Sequence, residues 1–117
     1  MKSTHIELVK KAYNGFNTRD IDAALSTMHH DVQWPKAFEG GYVIGHNEIR
    51  TYWLRQWSEI NPIVTPIAFK ERENGSLEIT VYQKVKDLQD HTIFDGNVKH
   101  IYTLEDNLLR RMDIELK

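Results

Sequence analysis

The segment LEITVYQKVKD, residues 77–87, alternates apolar and polar side chains with a period of two. Leu77, Ile79, Val81 and Val85 fall on one side, and glutamate, threonine and lysine stand between them. Successive residues of a strand point to opposite faces of a sheet, so this alternation predicts a half-buried strand. Gln83 shares the inward side, and its amide must therefore find a partner inside the protein or contact a ligand.

Three further strands are predicted around this one, which gives an antiparallel meander in the second half of the chain. The predicted strands are 63–72, 77–87, 92–104 and 108–116. The turn signals between them are Asn74-Gly75, Gln89-Asp90 and Asp106-Asn107. The apolar residues of the first of these strands favour a bulged loop at Asn74-Gly75, with inward positions for Ile63, Ile67 and Phe69.

His100 is the candidate functional residue that this arrangement brings into the core. A two-residue turn at Gln89-Asp90 places it opposite Ile79, on a face that is otherwise apolar. A histidine buried there needs a hydrogen-bond partner, which Tyr13, Gln83 or a water molecule can provide. Its ordinary pKa of about 6.5 suits proton transfer near neutrality. The apolar residues that share its face are Val98, Tyr102 and Leu104.

The last hairpin has two possible registers. A two-residue turn at Asp106-Asn107 places Asp113 opposite His100, where its carboxylate would orient and stabilise the imidazole. A three-residue loop with a bulge places Met112 there instead, and Asp113 is then a solvated residue of the outer face. In the first register Met112 and Ile114 face outward as an apolar patch. The sequence leaves both registers open.

Three helices are predicted in the first half. Thr4 and Glu7 have the spacing of a capping box, Asp20 caps a second helix, and His46 or Asn47 caps a third. Short strands at 32–34 and 42–44 precede the third helix. Helices followed by a meander indicate an α+β fold in which the helices cover one sheet face. The apolar helical faces are Ile6, Val9, Ala12, Tyr13 and Phe16; Ile21, Ala24, Leu25 and Met28; and Ile49, Trp53, Trp57 and Ile60.

Composition narrows the class of protein. The 117 residues predict one domain, 1–117, and 40% hydrophobic residues with a net charge of −2 are typical of a globular protein. The absence of a basic excess argues against nucleic acid or a membrane as partner. Without cysteine, thiol catalysis and zinc–thiolate sites are excluded. No apolar run is long enough for a signal or a membrane span, so a cytoplasmic location is expected.

The segment HHDVQWPK, residues 29–36, raises the possibility of a metal site. His29 and His30 are adjacent, so their side chains should diverge, whereas zinc needs three convergent ligands. We therefore expect no metal and no other cofactor. Trp34 should point into the core or a pocket. Lys36 is expected at the surface, although at a pocket mouth it would attract an anionic ligand.

Three longer stretches resemble a known superfamily. They are YNGFNTRDIDAALSTMHHDVQW at 13–34, GYVIGHNEIRTYW at 41–53 and HIYTLEDNLLRRMDI at 100–114. With the order of the elements, they resemble the NTF2-like superfamily, in its SnoaL-like and ketosteroid isomerase-like branch. The resemblance implies a cone-shaped roll with three N-terminal helices packed on a curved, mainly antiparallel sheet. It also implies a deep apolar pocket and a homodimer formed through the outer sheet face.

The isomerase site carries over only in part. The resemblance places Lys36 where the isomerase keeps its carboxylate base. Ala12 falls where the isomerase has the tyrosine of its oxyanion hole, with Tyr13 next to it. His100 falls at the position of the second oxyanion donor. Steroid isomerisation by the family's mechanism is therefore not expected.

The resulting hypothesis is a cofactor-free enzyme that isomerises, cyclises, dehydrates or hydrolyses an apolar carbonyl compound. His100 would be the acid–base or polarising group, aided by Asp113 and Tyr13. The alternatives are a non-catalytic ligand-binding or dimerisation module and a module that binds a protein partner. A homodimer is expected through Tyr82 and Ile101, joined by Met112 and Ile114 if these face outward. The residues expected to contact ligand are Trp34, Trp53, Trp57, Gln83 and Tyr102.

Overall fold

A computed structural model describes residues 2–36 and 39–116. Its six strands form one sheet in the order β2-β1-β6-β5-β4-β3, in which only the β1–β6 pair is parallel. The predicted α+β class is thus confirmed. None of the described helices is long and apolar enough to cross a membrane. The elements are α1 Ser3–Thr18, α2 Ile21–Leu25, β1 Met28–Pro35, β2 Tyr42–Ile44, α3 Gly45–Trp57, β3 Ile60–Glu71, β4 Leu77–Asp87, β5 Thr92–Glu105 and β6 Leu108–Glu115.

Two of the three predicted helix caps are wrong. Helix α1 begins at Ser3 because the Lys2 carbonyl accepts its first hydrogen bonds, so Thr4 lies inside the helix and makes no cap. Helix α3 begins at Gly45, whose φ of 84° suits glycine, and the Glu48 carboxylate accepts from the Ile44 N–H at 2.8 Å. The predicted cap of α2 is confirmed, because the Asp20 carboxylate accepts from the N–H of residue 23 at 3.2 Å.

The NTRDID segment, residues 17–22, ties the helices to the sheet. The Asn17 amide makes both hydrogen bonds to the backbone of Val64 on β3, one of 2.7 Å to its carbonyl and one of 2.9 Å from its N–H. Asp20 caps α2, and Asp22 forms an ion pair with Arg50 on α3. This part of the quoted motif therefore holds the helices against the sheet and against each other.

The β4–β5 register agrees with the prediction. Ile79 pairs with His100, and Gln83 pairs with Gly96. The connecting loop is longer than predicted, since the Asp87 N–H donates to the His91 carbonyl at 2.8 Å and closes a three-residue loop. An irregularity next to Val85 offsets the extra residue and restores the register.

The last hairpin has the two-residue turn, one of the two alternatives that the sequence left open, with both Asp106 and Asn107 in the left-handed region. An irregularity between Thr103 and Leu104 then shifts the pairing by one residue. His100 therefore lies opposite Ile114, and neither Asp113 nor Met112 faces it. The same shift directs Met112 and Ile114 into the core and Asp113 to the outer face. The apolar patch expected for the other register is absent from this part of the described chain.

Strand β3 also departs from simple alternation. It starts at Ile60, which was predicted to end α3, because it pairs with β4 along its whole length. A bulge between Pro66 and Ala68 reverses its faces. Phe69 packs against the core as predicted, whereas Ile63 and Ile67 are 39% and 54% exposed and were wrongly assigned inward. The bulged loop predicted at Asn74-Gly75 is confirmed, because the Arg72 N–H donates to the Ser76 carbonyl at 2.9 Å.

Candidate functional site

The inner face of the curved sheet and helices α1 and α3 enclose a cavity. Its volume is about 50 Å³, measured as the space open to the centre of a water molecule. That space holds roughly four water molecules and is smaller than the roughly 150 Å³ of a cavity that binds benzene. The wall is mainly aromatic and aliphatic. The lining residues are Ala12, Tyr13, Phe16, Trp34, Pro35, Tyr52, Trp53, Gln56, Pro62, Val64, Gln83, His100, Met112 and Ile114.

His100 lies in this wall and is held by a buried pair of tyrosines. Its Nδ1 is 2.8 Å from the Tyr13 hydroxyl, and the Tyr102 hydroxyl donates to the Tyr13 oxygen at 2.9 Å. The three side chains are 5%, 4% and 0% exposed, respectively. Tyr13 is thus one of the three partners that the sequence suggested. Within residues 2–36 and 39–116, no group forms a hydrogen bond with the other ring nitrogen, Nε2.

Burial keeps this group of side chains uncharged at neutral pH. Loss of solvation lowers the pKa of His100 to about 4, because the imidazolium form is disfavoured away from water. Burial likewise raises the pKa of Tyr102 and, together with the contact to Tyr102, that of Tyr13. His100 is therefore a neutral imidazole and a weak base across the physiological pH range.

The His100–Asp113 pair, which one of the two possible registers predicted, is wrong, because His100 pairs with Ile114. Asp113 lies on the outer face, where its carboxylate accepts from Arg111 Nε at 3.0 Å and from the Tyr42 hydroxyl. These contacts hold the pKa of Asp113 below its usual value, against the opposing effect of partial burial. The physical reason for the miss is the shift between Thr103 and Leu104. In the described part of the chain, no carboxylate side chain lines the cavity.

The three tryptophans take different positions. Trp34 and Trp53 line the cavity and meet edge to face, with ring centroids 5.5 Å apart. Trp57 packs behind them against Phe16 and lies under the Arg19 guanidinium, outside the lining. The indole N–H groups of Trp53 and Trp57 are buried without a hydrogen-bond partner in the described chain. The cavity is therefore walled by indole faces and edges.

Among the other predicted ligand contacts, Gln83 lines the cavity and Tyr102 does not. Gln83 is half-buried, and its amide makes no hydrogen bond to any described residue. Tyr102 sits behind Tyr13, so it reaches the cavity only through that hydroxyl. Sequence reasoning missed Tyr52 and Gln56, which lie one helical turn apart beside Trp53. Their spacing of four residues was the available signal.

His29 forms a separate cluster at the far end of β1. Its ring stacks on His30 at 4.3 Å, so the prediction that these side chains diverge is wrong. The Asp31 N–H donates to His29 Nδ1 at 3.1 Å, which holds the side chain folded back. Nε2 lies 3.7 Å from the carboxylates of both Glu105 and Asp106. Because Nδ1 accepts a hydrogen bond, the proton of the neutral ring resides on Nε2, which opposes metal ligation there.

Lys36 lies outside the cavity that contains His100. It borders a separate surface groove together with Glu39 and Arg55, which form an ion pair with each other. This lysine therefore takes no part in the cavity wall. The position that the resemblance equated with the isomerase base provides no catalytic group to His100.

Comparisons with solved structures identify the fold. The crystal structure of TerC, co-crystallised with polyporic acid, matches with 27% identity and a TM-score of 0.84, over 98% of this chain and 92% of that chain. An NTF2-like protein of unknown function from Burkholderia pseudomallei matches with 19% identity and a TM-score of 0.84, over 99% and 92% of the two chains. A putative polyketide cyclase from Xanthomonas campestris matches with 19% identity and a TM-score of 0.75, over 95% and 88%.

The searches based on sequence give no such neighbours. No protein-family model matches the chain, and no curated protein matches it. The structural neighbours nevertheless include NTF2-like proteins, putative polyketide cyclases and a protein with a ketosteroid isomerase-like fold. The NTF2-like fold predicted from the three sequence stretches is thus confirmed.

Proposed function

We propose that this protein of NTF2-like fold binds a small apolar carbonyl compound in the cavity, with the carbonyl oxygen at His100 Nε2. The observation that carries the proposal is the asymmetry of the imidazole. Nδ1 is bonded to Tyr13 at 2.8 Å, whereas Nε2 has no partner in the described chain although His100 lines the cavity. A buried polar group in that position requires a water molecule or a ligand.

The walls favour a flat ligand. The indole and phenyl groups in the wall offer flat apolar surfaces against which a planar ring can pack. The volume of about 50 Å³ is less than one ring needs, so binding of even a single ring requires the half-buried Phe16 and Gln56 to move. TerC, at 27% identity, was co-crystallised with polyporic acid. That co-crystal supports a small-molecule ligand for this protein as well.

A reaction at this site would develop negative charge on the carbonyl oxygen. His100 would stabilise that charge by a hydrogen bond in a site shielded from water, as preorganised donors do in other enzymes. Isomerisation, cyclisation, dehydration and hydrolysis of a carbonyl compound all include such a step. Gln83 is placed to hold a second polar group of the same ligand.

Binding without turnover is the second candidate function. It is favoured by one observation: the described lining has no carboxylate, and the imidazole is a weak base with a pKa of about 4. Proton abstraction from carbon would then have no strong base on the protein. In a reaction at such a site, the substrate itself or a water molecule would have to accept the proton.

Binding experiments test the proposal. Single-ring cyclic ketones and polyporic acid would be titrated into the wild-type protein and into His100→Phe, with protein NMR shifts as the readout. We expect saturable shifts at the lining residues and at least about tenfold weaker binding to His100→Phe, because a hydrogen bond to the ligand is lost. The control is His91→Phe, since His91 is exposed. Equal affinity in all three proteins would contradict the proposal.

Turnover distinguishes the two candidates. If the protein is an enzyme, His100→Phe abolishes conversion of any carbonyl substrate that the wild type converts. If it only binds, the wild type returns the ligand unchanged after prolonged incubation. Mass spectrometry of the recovered ligand separates these outcomes.

A homodimer through the outer sheet face remains part of the proposal. Met112 and Ile114 point inward and cannot contribute, and Ile101 is only 8% exposed. The remaining apolar area would come from Tyr82 and from Ile63, which is 39% exposed. Light scattering at micromolar concentration tests it, and a monomer would contradict it. The cytoplasmic location stays a prediction.

A further inference from the structure

The hydrogen bonds behind His100 form a hydrogen-bond chain that ends at a buried hydroxyl group. It runs from the Tyr102 hydroxyl to the Tyr13 hydroxyl at 2.9 Å, and from there to His100 Nδ1 at 2.8 Å. Each hydroxyl has one proton to donate. In the part of the chain that the structure describes, Tyr102 has no other partner for its hydroxyl, and its side chain is 0% exposed. The Tyr102 hydroxyl is therefore closed to bulk solvent.

The protons can run along these hydrogen bonds in either of two directions. In the first, Tyr102 donates to Tyr13 and Tyr13 donates to Nδ1, so both hydroxyl protons are used. The imidazole proton then sits on Nε2, next to the cavity. In the second, Nδ1 donates to Tyr13 and Tyr13 donates to Tyr102, which leaves the Tyr102 proton buried without an acceptor. A third arrangement, in which Nδ1 and Tyr102 both donate to the Tyr13 oxygen, leaves the Tyr13 proton without an acceptor among the described residues. An unpaired buried donor is strongly disfavoured, by roughly tenfold or more in population.

We propose that the Tyr102–Tyr13 pair fixes the proton of His100 on Nε2, so that the cavity faces a hydrogen-bond donor and no base. Tyr13 and Tyr102 are positioning residues, because they act on the ligand only through the imidazole. The device explains why two tyrosine hydroxyls are buried in series behind a histidine. It also explains why no carboxylate is needed to orient that histidine.

The consequence is a rule for the ligand, which rests on the proposed function. A donor at Nε2 selects an oxygen that accepts hydrogen bonds, such as that of a ketone, an enolate or a phenolate. It gives no attraction to an ammonium group, which can only donate. The opposite tautomer would present an acceptor at Nε2 and would favour ligands that donate hydrogen bonds. The tautomer and the ligand preference are measured in separate experiments, so each can fail without the other.

The first test measures the tautomer in the free protein. Long-range proton–nitrogen NMR correlations of histidine labelled with ¹⁵N show which ring nitrogen carries the proton, and His100→Gln assigns the signal. At pH 7 we expect a protonated Nε2 and an unprotonated Nδ1 at His100. A protonated Nδ1, or an equal mixture of tautomers, would overturn the inference whatever the ligands do.

The second test uses Tyr13→Phe and measures the pKa of His100 by NMR titration. If Tyr13 donates to Nδ1, it stabilises the neutral ring, so its removal raises the pKa. If Tyr13 accepts from Nδ1, it stabilises the imidazolium form more strongly, so its removal lowers the pKa. A lower pKa would therefore contradict the proposal. Tyr82→Phe is the matched control, because Tyr82 bonds Asp95 on the outer face, and it should leave the pKa unchanged.

The third test compares cyclohexanone with cyclohexylamine, which have the same ring and opposite hydrogen-bonding groups at pH 7. We expect the ketone to bind at least about tenfold more tightly. Tighter binding of the amine would overturn the rule for the ligand. If neither compound binds but the tautomer is as expected, the positioning role stands and the proposed ligand class fails.

Discussion

Acid should destabilise this protein through His100. The pKa of the buried ring is about 4, compared with about 6.5 in the unfolded chain. As the pH falls below about 6.5, the unfolded state takes up a proton that the folded state cannot take up until about pH 4. This effect of His100 therefore costs no stability above pH 6.5. Between pH 6.5 and pH 4 it lowers the free energy of unfolding progressively, and below pH 4 the loss grows no further. The difference of about 2.5 pKa units corresponds to about 3 kcal/mol.

Urea unfolding at several pH values between 7 and 4 measures this loss. Other groups also titrate in this range, so the quantity to compare is the pH dependence of the wild type against that of His100→Gln. We expect the free energy of unfolding of the variant to fall less across the range, by about 3 kcal/mol. His91→Gln is the control, because His91 is exposed, and it should retain the wild-type dependence. Parallel curves for the wild type and His100→Gln would refute the reasoning.

Three further predictions concern the structure around the site. Asn17→Ala should lower the free energy of unfolding by about 1–3 kcal/mol in urea, because it leaves the N–H and carbonyl of Val64 without their partner; an unchanged midpoint would contradict it. Gly15→Ala should lower the melting temperature in circular dichroism, because the new Cβ would lie 2.7 Å from the Ala24 nitrogen; a higher melting temperature would show that the helices can separate. Asp113→Asn should leave ketone affinity within about twofold by NMR titration, since this carboxylate lies on the outer face; a tenfold loss would restore its predicted role.

The inward position of His100 was predictable because alternation is a long-range rule once a register is fixed. The alternation from Leu77 to Val85 defines the buried face of β4, and pairing transfers that face to β5. The error in the loop length at residues 88–90 did not change the predicted register, because the apolar pattern on both strands requires the same pairing. The helical faces of Val9, Ala12 and Tyr13 followed from periodicity in the same way.

The position of Asp113 was not predictable, although the turn was. The two-residue turn at Asp106-Asn107 is present, yet the irregularity at Leu104 displaces every later pair by one residue. A bulge depends on how the strand must bend around the core, and neither Thr103 nor Leu104 is a residue type that signals one. The bulge near Pro66 misassigned Ile63 and Ile67 for the same reason.

The sequence also did not predict which side chains border the cavity and which lie behind them. Periodicity places Tyr102 and Trp57 on inward faces, but it does not show which side chains border the empty space. Tyr102 lies behind Tyr13, and Trp57 lies behind Trp53. Such layering is decided by the packing of several aromatic rings, which is a property of the whole core.

The central claim is that a ligand oxygen meets His100 Nε2 inside this cavity, and a crystal structure of the protein with cyclohexanone tests it most directly. We expect the ring to lie against Trp34 and Trp53, with its oxygen about 3 Å from Nε2. A ketone bound with its oxygen directed away from the imidazole, or found only on the protein surface, would contradict it.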